Sequence, residues 1–162
     1  MIPKSVVRTE KAPAPFQGAP YSQAIRCGDF VFVSGQLPIK PGTSEVAGGT
    51  IAEQTEQVMA NLEAILEAAG SGLDRLVKTT VFLVTHDDFA GMNEVYRRHV
   101  GDAPPARSTV AVGAFPRGIL LEIDAIAHRR RRADPQRTGS IGVGSPCCAS
   151  ITSAASRQRS SR

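Results

Sequence analysis

An arginine and a glutamate late in the chain are the residues best suited to chemistry. Arg107 lies in residues 104–109 (PPARST) and Glu122 in residues 120–127 (LLEIDAIA), and both segments read as strands. Residues 114–118 (AFPRG) read as a turn, so the two strands are predicted to pair as a hairpin. With an even number of loop residues, both side chains project from the same sheet face. There a guanidinium and a carboxylate could hold a small anion beside a polarised water.

The opposite face of this predicted hairpin is apolar and is therefore assigned to the core. It carries Ser108, Val110, Val112, Ile119, Leu121 and Ile123.

The segments before the hairpin predict the rest of an α+β fold. Residues 21–26 and 30–37 read as paired strands, and residues 6–8 fit a short edge strand. Residues 50–69 predict a helix that opens with a capping box and ends at a glycine, 73–84 a strand, and 87–100 a second helix. This order indicates a mixed sheet with two helices packed on one face.

The sheet face without helices is the natural place for a second subunit. It is predicted to carry Arg107 and Glu122 with Thr109, Asp124 and Ile126, a mixture of charge and apolar surface. Such a face is costly to expose to water, so we expect a closed homo-oligomer with sites at subunit junctions.

Composition favours a single globular domain with an unusual tail. Hydrophobic residues make up 41% of the 162, there is no Trp, and no apolar run reaches the length of a membrane span. Residues 1–128 carry a net charge of −3 and residues 129–162 a net charge of +7. The acidic domain gives little reason to bind polyanions, and with few aromatic residues nucleic-acid binding is not expected from it. A cytoplasmic location is the expectation, since the N-terminus has no apolar signal core.

The chain is therefore predicted to consist of a domain at residues 1–128 and a basic tail at residues 129–162. Residues 133–162 are rich in Gly, Ser, Thr and Arg and are predicted to be disordered. The four arginines at 129–132 could contact RNA, a membrane or a partner; a solvated extension is the simpler interpretation.

The cysteines and histidines do not suggest a metal or a disulfide framework. Cys27 stands alone, and Cys147 and Cys148 are adjacent in the tail. The three histidines at 86, 99 and 128 lack ligand spacing, so no metal site is predicted.

Several segments in the correct order resemble the RidA/YjgF family of small trimeric deaminases. They are residues 20–24 (PYSQA), 31–38 (VFVSGQLP), 65–70 (ILEAAG), 77–82 (VKTTVF), 92–96 (MNEVY), 105–108 (PARS) and 122–127 (EIDAIA). The resemblance covers about residues 5–128. It implies a chorismate-mutase-like α+β homotrimer that hydrolyses reactive 2-imino or enamine acids to 2-oxo acids and ammonia, without a cofactor.

The same resemblance implies roles for six residues. Arg107 would clamp the substrate carboxylate in a bidentate manner, and Glu122 would position or activate the attacking water. The substrate pocket would be lined by Tyr21, Ser34, Asn93 and the backbone at Thr109. Two positions depart from the family pattern: Ala19 stands where Gly usually precedes Pro-Tyr, and Thr109 where Cys is common.

Two alternative functions remain open from the sequence. One is a non-catalytic trimer in which the same arginine binds a metabolite carboxylate. The weaker one is a ribonuclease that inhibits translation, against which stand the acidic domain and the lack of paired histidines.

Overall fold

A six-stranded mixed sheet with two helices forms the structure, which was obtained as a computed structural model and describes residues 2–130. The strands are β1 (Lys4–Val7), β2 (Ala24–Cys27), β3 (Phe30–Gln36), β4 (Leu76–Leu83), β5 (Ala106–Ala111) and β6 (Leu121–His128). The helices are α1 (Ile51–Ala68) and α2 (Phe89–Val100). The predicted α+β architecture is confirmed, including the short N-terminal edge strand.

Local sequence signals explain where the helices begin and end. The Thr50 hydroxyl caps α1 by accepting a hydrogen bond from the Glu53 amide. In turn the Glu53 carboxylate accepts a hydrogen bond from the Thr50 amide, which completes the capping box. Gly70 follows α1 with φ of 79°, a conformation that favours glycine. Along α1 the apolar positions repeat with helical period, so Val58, Leu62 and Ile65 are fully buried against the sheet.

The strand order is β1-β2-β3-β6-β4-β5, and it corrects the predicted hairpin. Strand β4 lies between β5 and β6; it pairs parallel with β5 and antiparallel with β6. Strands β4 and β5 are joined through α2, the usual connection for neighbouring parallel strands. The predicted pairing of β5 with β6 was therefore wrong.

This order also changes which residues share a face. Arg107 stands opposite Thr79, and Thr79 opposite Ala125, on the face that α1 and α2 cover, here called the helix face. Glu122 stands opposite Phe82 on the other side, here called the open face. The prediction that Arg107 and Glu122 share a face was wrong, and so was the placement of Thr109 beside Glu122.

The assignment of β5 to the core face was wrong in the same way. Ser108 and Val110 lie on the open face, and Val110 is 42% exposed. By contrast, Ile119, Leu121 and Ile123 are buried as predicted.

The predicted tail lies outside the described residues except for Arg129 and Arg130. Their backbone amides donate to the carbonyl oxygens of Asp29 and Gly70. No helix within residues 2–130 is long and apolar enough to span a membrane.

Candidate active site

Arg107 is held on the helix face at the edge of the sheet. Strand β5 lies at one end of the strand order, so one of its edges is unpaired within residues 2–130. The Arg107 side chain contacts two aromatic residues of α2. The guanidinium carbon lies 4.8 Å from the ring centre of Tyr96 and 5.7 Å from that of Phe89. Cations are attracted to aromatic faces at these distances. No carboxylate of residues 2–130 forms a salt bridge with it.

A groove of about 580 Å³ opens beside this arginine. Asn93 and Tyr96 of α2 line one side, and Pro104, Pro105 and Arg107 line the other. Thr109 is two residues beyond Arg107 on the same face and is half-buried. Two of the six predicted site residues, Arg107 and Asn93, therefore line the groove, and Thr109 lies on the same face of β5 outside its lining.

Glu122 projects from the open face onto a glycine of the neighbouring strand. A Cβ atom added to Gly35 would overlap the Glu122 carboxylate where it now lies, so the glycine leaves room for this position of the side chain. The register of β3 against β6 shifts between Val33 and Gln36, an irregularity typical of a β-bulge. The bulge places Gly35 directly beneath Glu122.

The electrostatic environment of Glu122 favours its neutral form. Burial raises the pKa of this carboxyl above its usual range, and the nearby charge of Asp124 raises it further. Asp124 is fixed in turn, because one of its oxygens accepts a hydrogen bond of 2.9 Å from the Thr80 amide. Within residues 2–130 no cation pairs with Glu122.

Ser34 belongs to β3 and Tyr21 to the segment that leads to β2, on the side of Gly35 and away from β5. The Ser34 hydroxyl donates a 2.7 Å bond to the Ser22 carbonyl, which ties the Tyr21 segment to β3. Tyr21 is 45% exposed, and its hydroxyl accepts a hydrogen bond from the Phe16 amide. Tyr21 and Gly35 both line a cavity of about 700 Å³.

The six predicted residues thus fall into two groups. Arg107, Asn93 and Thr109 form the arginine half of the site, and Glu122, Tyr21 and Ser34 form the glutamate half. The two halves belong to opposite faces of one sheet. A single molecule therefore does not bring the guanidinium and the carboxylate together.

Sequence reasoning missed the residues that support these two groups. Phe89 and Tyr96 of α2 contact Arg107, and this contact depends on the parallel pairing of β4 with β5, which the sequence did not predict. Gly35 lies within the motif 31–38, but its closeness to Glu122 depends on the bulge. Among the described residues, no group of three or more His, Cys, Asp or Glu side chains could hold a metal ion.

Comparison with known proteins identifies relatives across the whole domain. Residues 9–129 match the model of the family described as Endoribonuclease L-PSP. A RutC family protein of Pyrococcus abyssi is 51% identical over 126 residues, which is 78% of this chain and 98% of the relative. Protein DfrA of Myxococcus xanthus is 45% identical over 126 residues, covering 76% of this chain and 95% of the relative.

Solved structures agree with the fold. RidA from the Antarctic bacterium Psychrobacter sp. is 42% identical with a TM-score of 0.72, covering 76% of this chain and 98% of that one. TdcF of E. coli, solved with bound serine, is 37% identical with a TM-score of 0.71, covering 78% of this chain and 99% of that one.

Proposed function

The chain belongs to the RidA/YjgF family, which is also described as endoribonuclease L-PSP, and from that membership we propose that it is an imine deaminase. The proposed reaction is the hydrolysis of 2-imino acids, such as 2-iminobutanoate and 2-iminopropanoate, to 2-oxo acids and ammonia. The residues proposed to carry it are Arg107 and Glu122.

The observation that supports this proposal most directly is the state of these two side chains. Arg107 is a cation without a salt-bridge partner in residues 2–130, and it stands beside an open groove. Glu122 is a half-buried carboxyl with a raised pKa. The first suits a substrate carboxylate and the second suits proton transfer.

Because the two side chains lie on opposite faces, the proposed site needs two copies of the chain. The open face of one copy would bring Glu122 to the Arg107 groove of the next. The open face also exposes apolar side chains that a second copy would cover; Val6, Phe30, Phe32 and Val110 are 42–47% exposed. We propose a closed homotrimer with one such site at each junction.

The reaction follows from these positions. The guanidinium of Arg107 binds both oxygens of the substrate carboxylate and orients the imine carbon. The carboxylate of Glu122 accepts a proton from water as the water oxygen attacks that carbon. Glu122 then returns this proton to the nitrogen of the carbinolamine and accepts the proton of its hydroxyl group, so that the C–N bond breaks, ammonia leaves and the carbonyl forms. No cofactor is required in this scheme, since a protonated imine is already electrophilic.

The remaining four residues are proposed to shape the pocket. Tyr21 and Ser34 would line the glutamate half, and Asn93 the arginine half. At Thr109 the backbone would hold the imine nitrogen, so that the absence of a thiol there is tolerated. The bound serine of TdcF is a small molecule with an α-carboxylate, which is consistent with a carboxylate-binding groove. The cytoplasmic location stays a prediction.

The test is the release of 2-oxobutanoate in an assay where a threonine dehydratase generates 2-iminobutanoate in situ. Wild type should accelerate the final hydrolysis. Arg107→Ala and Glu122→Gln should each lose about a hundredfold in kcat/KM, the first through weaker binding of the substrate carboxylate and the second through loss of the base.

Two exposed residues provide matched controls. Glu63→Gln on α1 and Arg130→Ala after β6 remove the same charges from exposed positions and should keep the wild-type rate. An assembled wild type that gives no acceleration would contradict the proposal. If such a protein still bound 2-oxobutanoate, the non-catalytic metabolite-binding trimer would replace the deaminase as the best interpretation.

Ribonuclease activity remains the weaker alternative, supported only by the description of the family. Two of the three histidines contact residues outside the candidate site. The ring of His99 bonds Glu56, and that of His128 packs edge-on against Phe30.

A further inference from the structure

The guanidinium of Arg107 rests on an aromatic ring that is itself fixed by a buried hydrogen bond. The Tyr96 ring centre is the nearer of its two aromatic contacts, at 4.8 Å. Tyr96 is only 3% exposed, so its ring can change position little without disturbing the core. The location of the ring therefore limits the location of the guanidinium.

The hydroxyl group of Tyr96 determines where that ring lies. It forms a 2.7 Å hydrogen bond with the hydroxyl of Thr79, a residue with no exposed surface. Thr79 is also the direct cross-strand partner of Arg107 on β5. A ring carried by α2 is thus tied to the strand next to the arginine, and it lies against the guanidinium of that arginine.

A purely structural explanation of the pair is incomplete. Two hydroxyl groups buried in an apolar core contribute little net stability, and a Phe–Val pair of similar shape would pack as well. What the hydroxyl pair adds is a fixed position, because the hydrogen bond holds the hydroxyl end of the ring at one point on β4. A fixed position matters most where a planar guanidinium must meet a planar carboxylate.

We propose that Tyr96 and Thr79 are positioning residues for Arg107: together they aim its guanidinium at the carboxylate of the substrate. This inference rests on the proposed carboxylate-binding role of Arg107 and extends it to two residues that do not touch the substrate. The carboxylate is bound equally in the ground state and the transition state. Loss of the hydrogen bond between Tyr96 and Thr79 should therefore raise KM and leave kcat nearly unchanged.

The test compares Tyr96→Phe and Thr79→Val with wild type in the 2-iminobutanoate assay. Each variant removes one hydroxyl and keeps the rest of the side chain. We expect KM to rise roughly three- to tenfold, the range for weakening one cation–aromatic contact, with kcat within about twofold of wild type. Tyr96→Leu, which removes the ring, should raise KM further.

Thr55→Val is the matched control. Thr55 is also fully buried, and its hydroxyl donates a 2.7 Å bond to the Ile51 carbonyl inside α1, away from Arg107. Thr55→Val should lower the melting temperature about as much as Thr79→Val and leave KM unchanged. If Thr79→Val and Tyr96→Phe behave as Thr55→Val does, the positioning role is overturned.

A second measurement separates this inference from the proposed activity. The Kd of 2-oxobutanoate, the product, reports carboxylate binding without turnover and should rise in the same variants by the same factor. If wild type is inactive but binds 2-oxobutanoate, the proposed deaminase fails and this Kd series alone decides the positioning role. If wild type neither hydrolyses 2-iminobutanoate nor binds 2-oxobutanoate, both fail.

Discussion

At the scale of single residues, the chemistry of the glutamate half depends on two neighbours that hold no substrate. Gly35 leaves the space that the Glu122 carboxylate occupies. Asp124, fixed by the Thr80 amide, adds a negative charge on the same face. The first sets the position of the Glu122 carboxylate and the second acts on its protonation.

The pH dependence of the reaction should therefore respond to Asp124. Its charge is the second cause, after burial, of the raised pKa of Glu122. Asp124→Asn removes that charge, so the pKa of Glu122 should fall, and the acidic limb of the kcat/KM profile should move to lower pH. The profile is to be measured beside Glu94→Gln, an exposed carboxylate on α2 whose loss should leave the limb in place. A limb that stays in place in Asp124→Asn would contradict the assignment of Glu122 as the titrating base.

The sequence could propose Arg107 and Glu122 as site residues but could not show how they are arranged. Their residue types and motifs pointed to a clamp and a base. Their faces were predicted from hairpin parity, and parity holds only for strands that pair with each other. Once β4 lies between them, the same odd and even numbers place the two side chains on opposite faces.

At the scale of elements, predictions from local signals were the ones that succeeded. Helix α1 was located by its capping box, its periodicity and the glycine that follows it, all of which lie within the segment itself. The position of β5 depends on a long-range pairing that no local pattern encodes. One signal was available, because a strand, a helix and a strand in succession commonly form a βαβ unit with parallel strands.

The two helices are joined by a cluster of charges that should make stability depend on pH. Glu56 of α1 contacts Arg98 of α2 at 2.5 Å and the His99 ring at 2.6 Å. These bonds, that to Arg98 first, lower the pKa of Glu56. A carboxyl with a lowered folded pKa stabilises the fold above its unfolded pKa, and this contribution is lost as pH falls through the folded pKa.

Glu56→Gln should accordingly reduce the free energy of unfolding at pH 7 by about 1 kcal/mol or less, since the cluster is partly exposed. The difference from wild type should shrink at acidic pH, below the folded pKa of Glu56. Urea denaturation at pH 7 and at an acidic pH measures this difference in the free energy of unfolding. Glu63→Gln, which removes an exposed carboxylate on the same helix, provides the baseline. A constant difference at both pH values would show that the cluster acts by packing rather than by charge.

At the scale of the whole molecule, the opposite faces of Arg107 and Glu122 give a direct test of the proposed assembly. If each site combines Arg107 of one subunit with Glu122 of the next, two inactive variants should regain activity when their subunits are mixed. In a mixed trimer of Arg107→Ala and Glu122→Gln, a junction is intact when the first variant supplies the glutamate and the second the arginine. Random mixing in equal amounts makes about a quarter of the junctions intact, so about a quarter of wild-type activity should return.

The mixture must be made by co-expression or by refolding the two variants together, so that subunits exchange. Each variant refolded alone should stay inactive, and so should a mixture prepared without exchange. A co-refolded mixture that stays inactive, although mass spectrometry of the intact assemblies shows that mixed trimers have formed, would contradict a shared site. Within residues 2–130 nothing brings the Arg107 and Glu122 of one chain to the same face. Recovery of activity would therefore establish both the assembly and the pairing of the two residues across it.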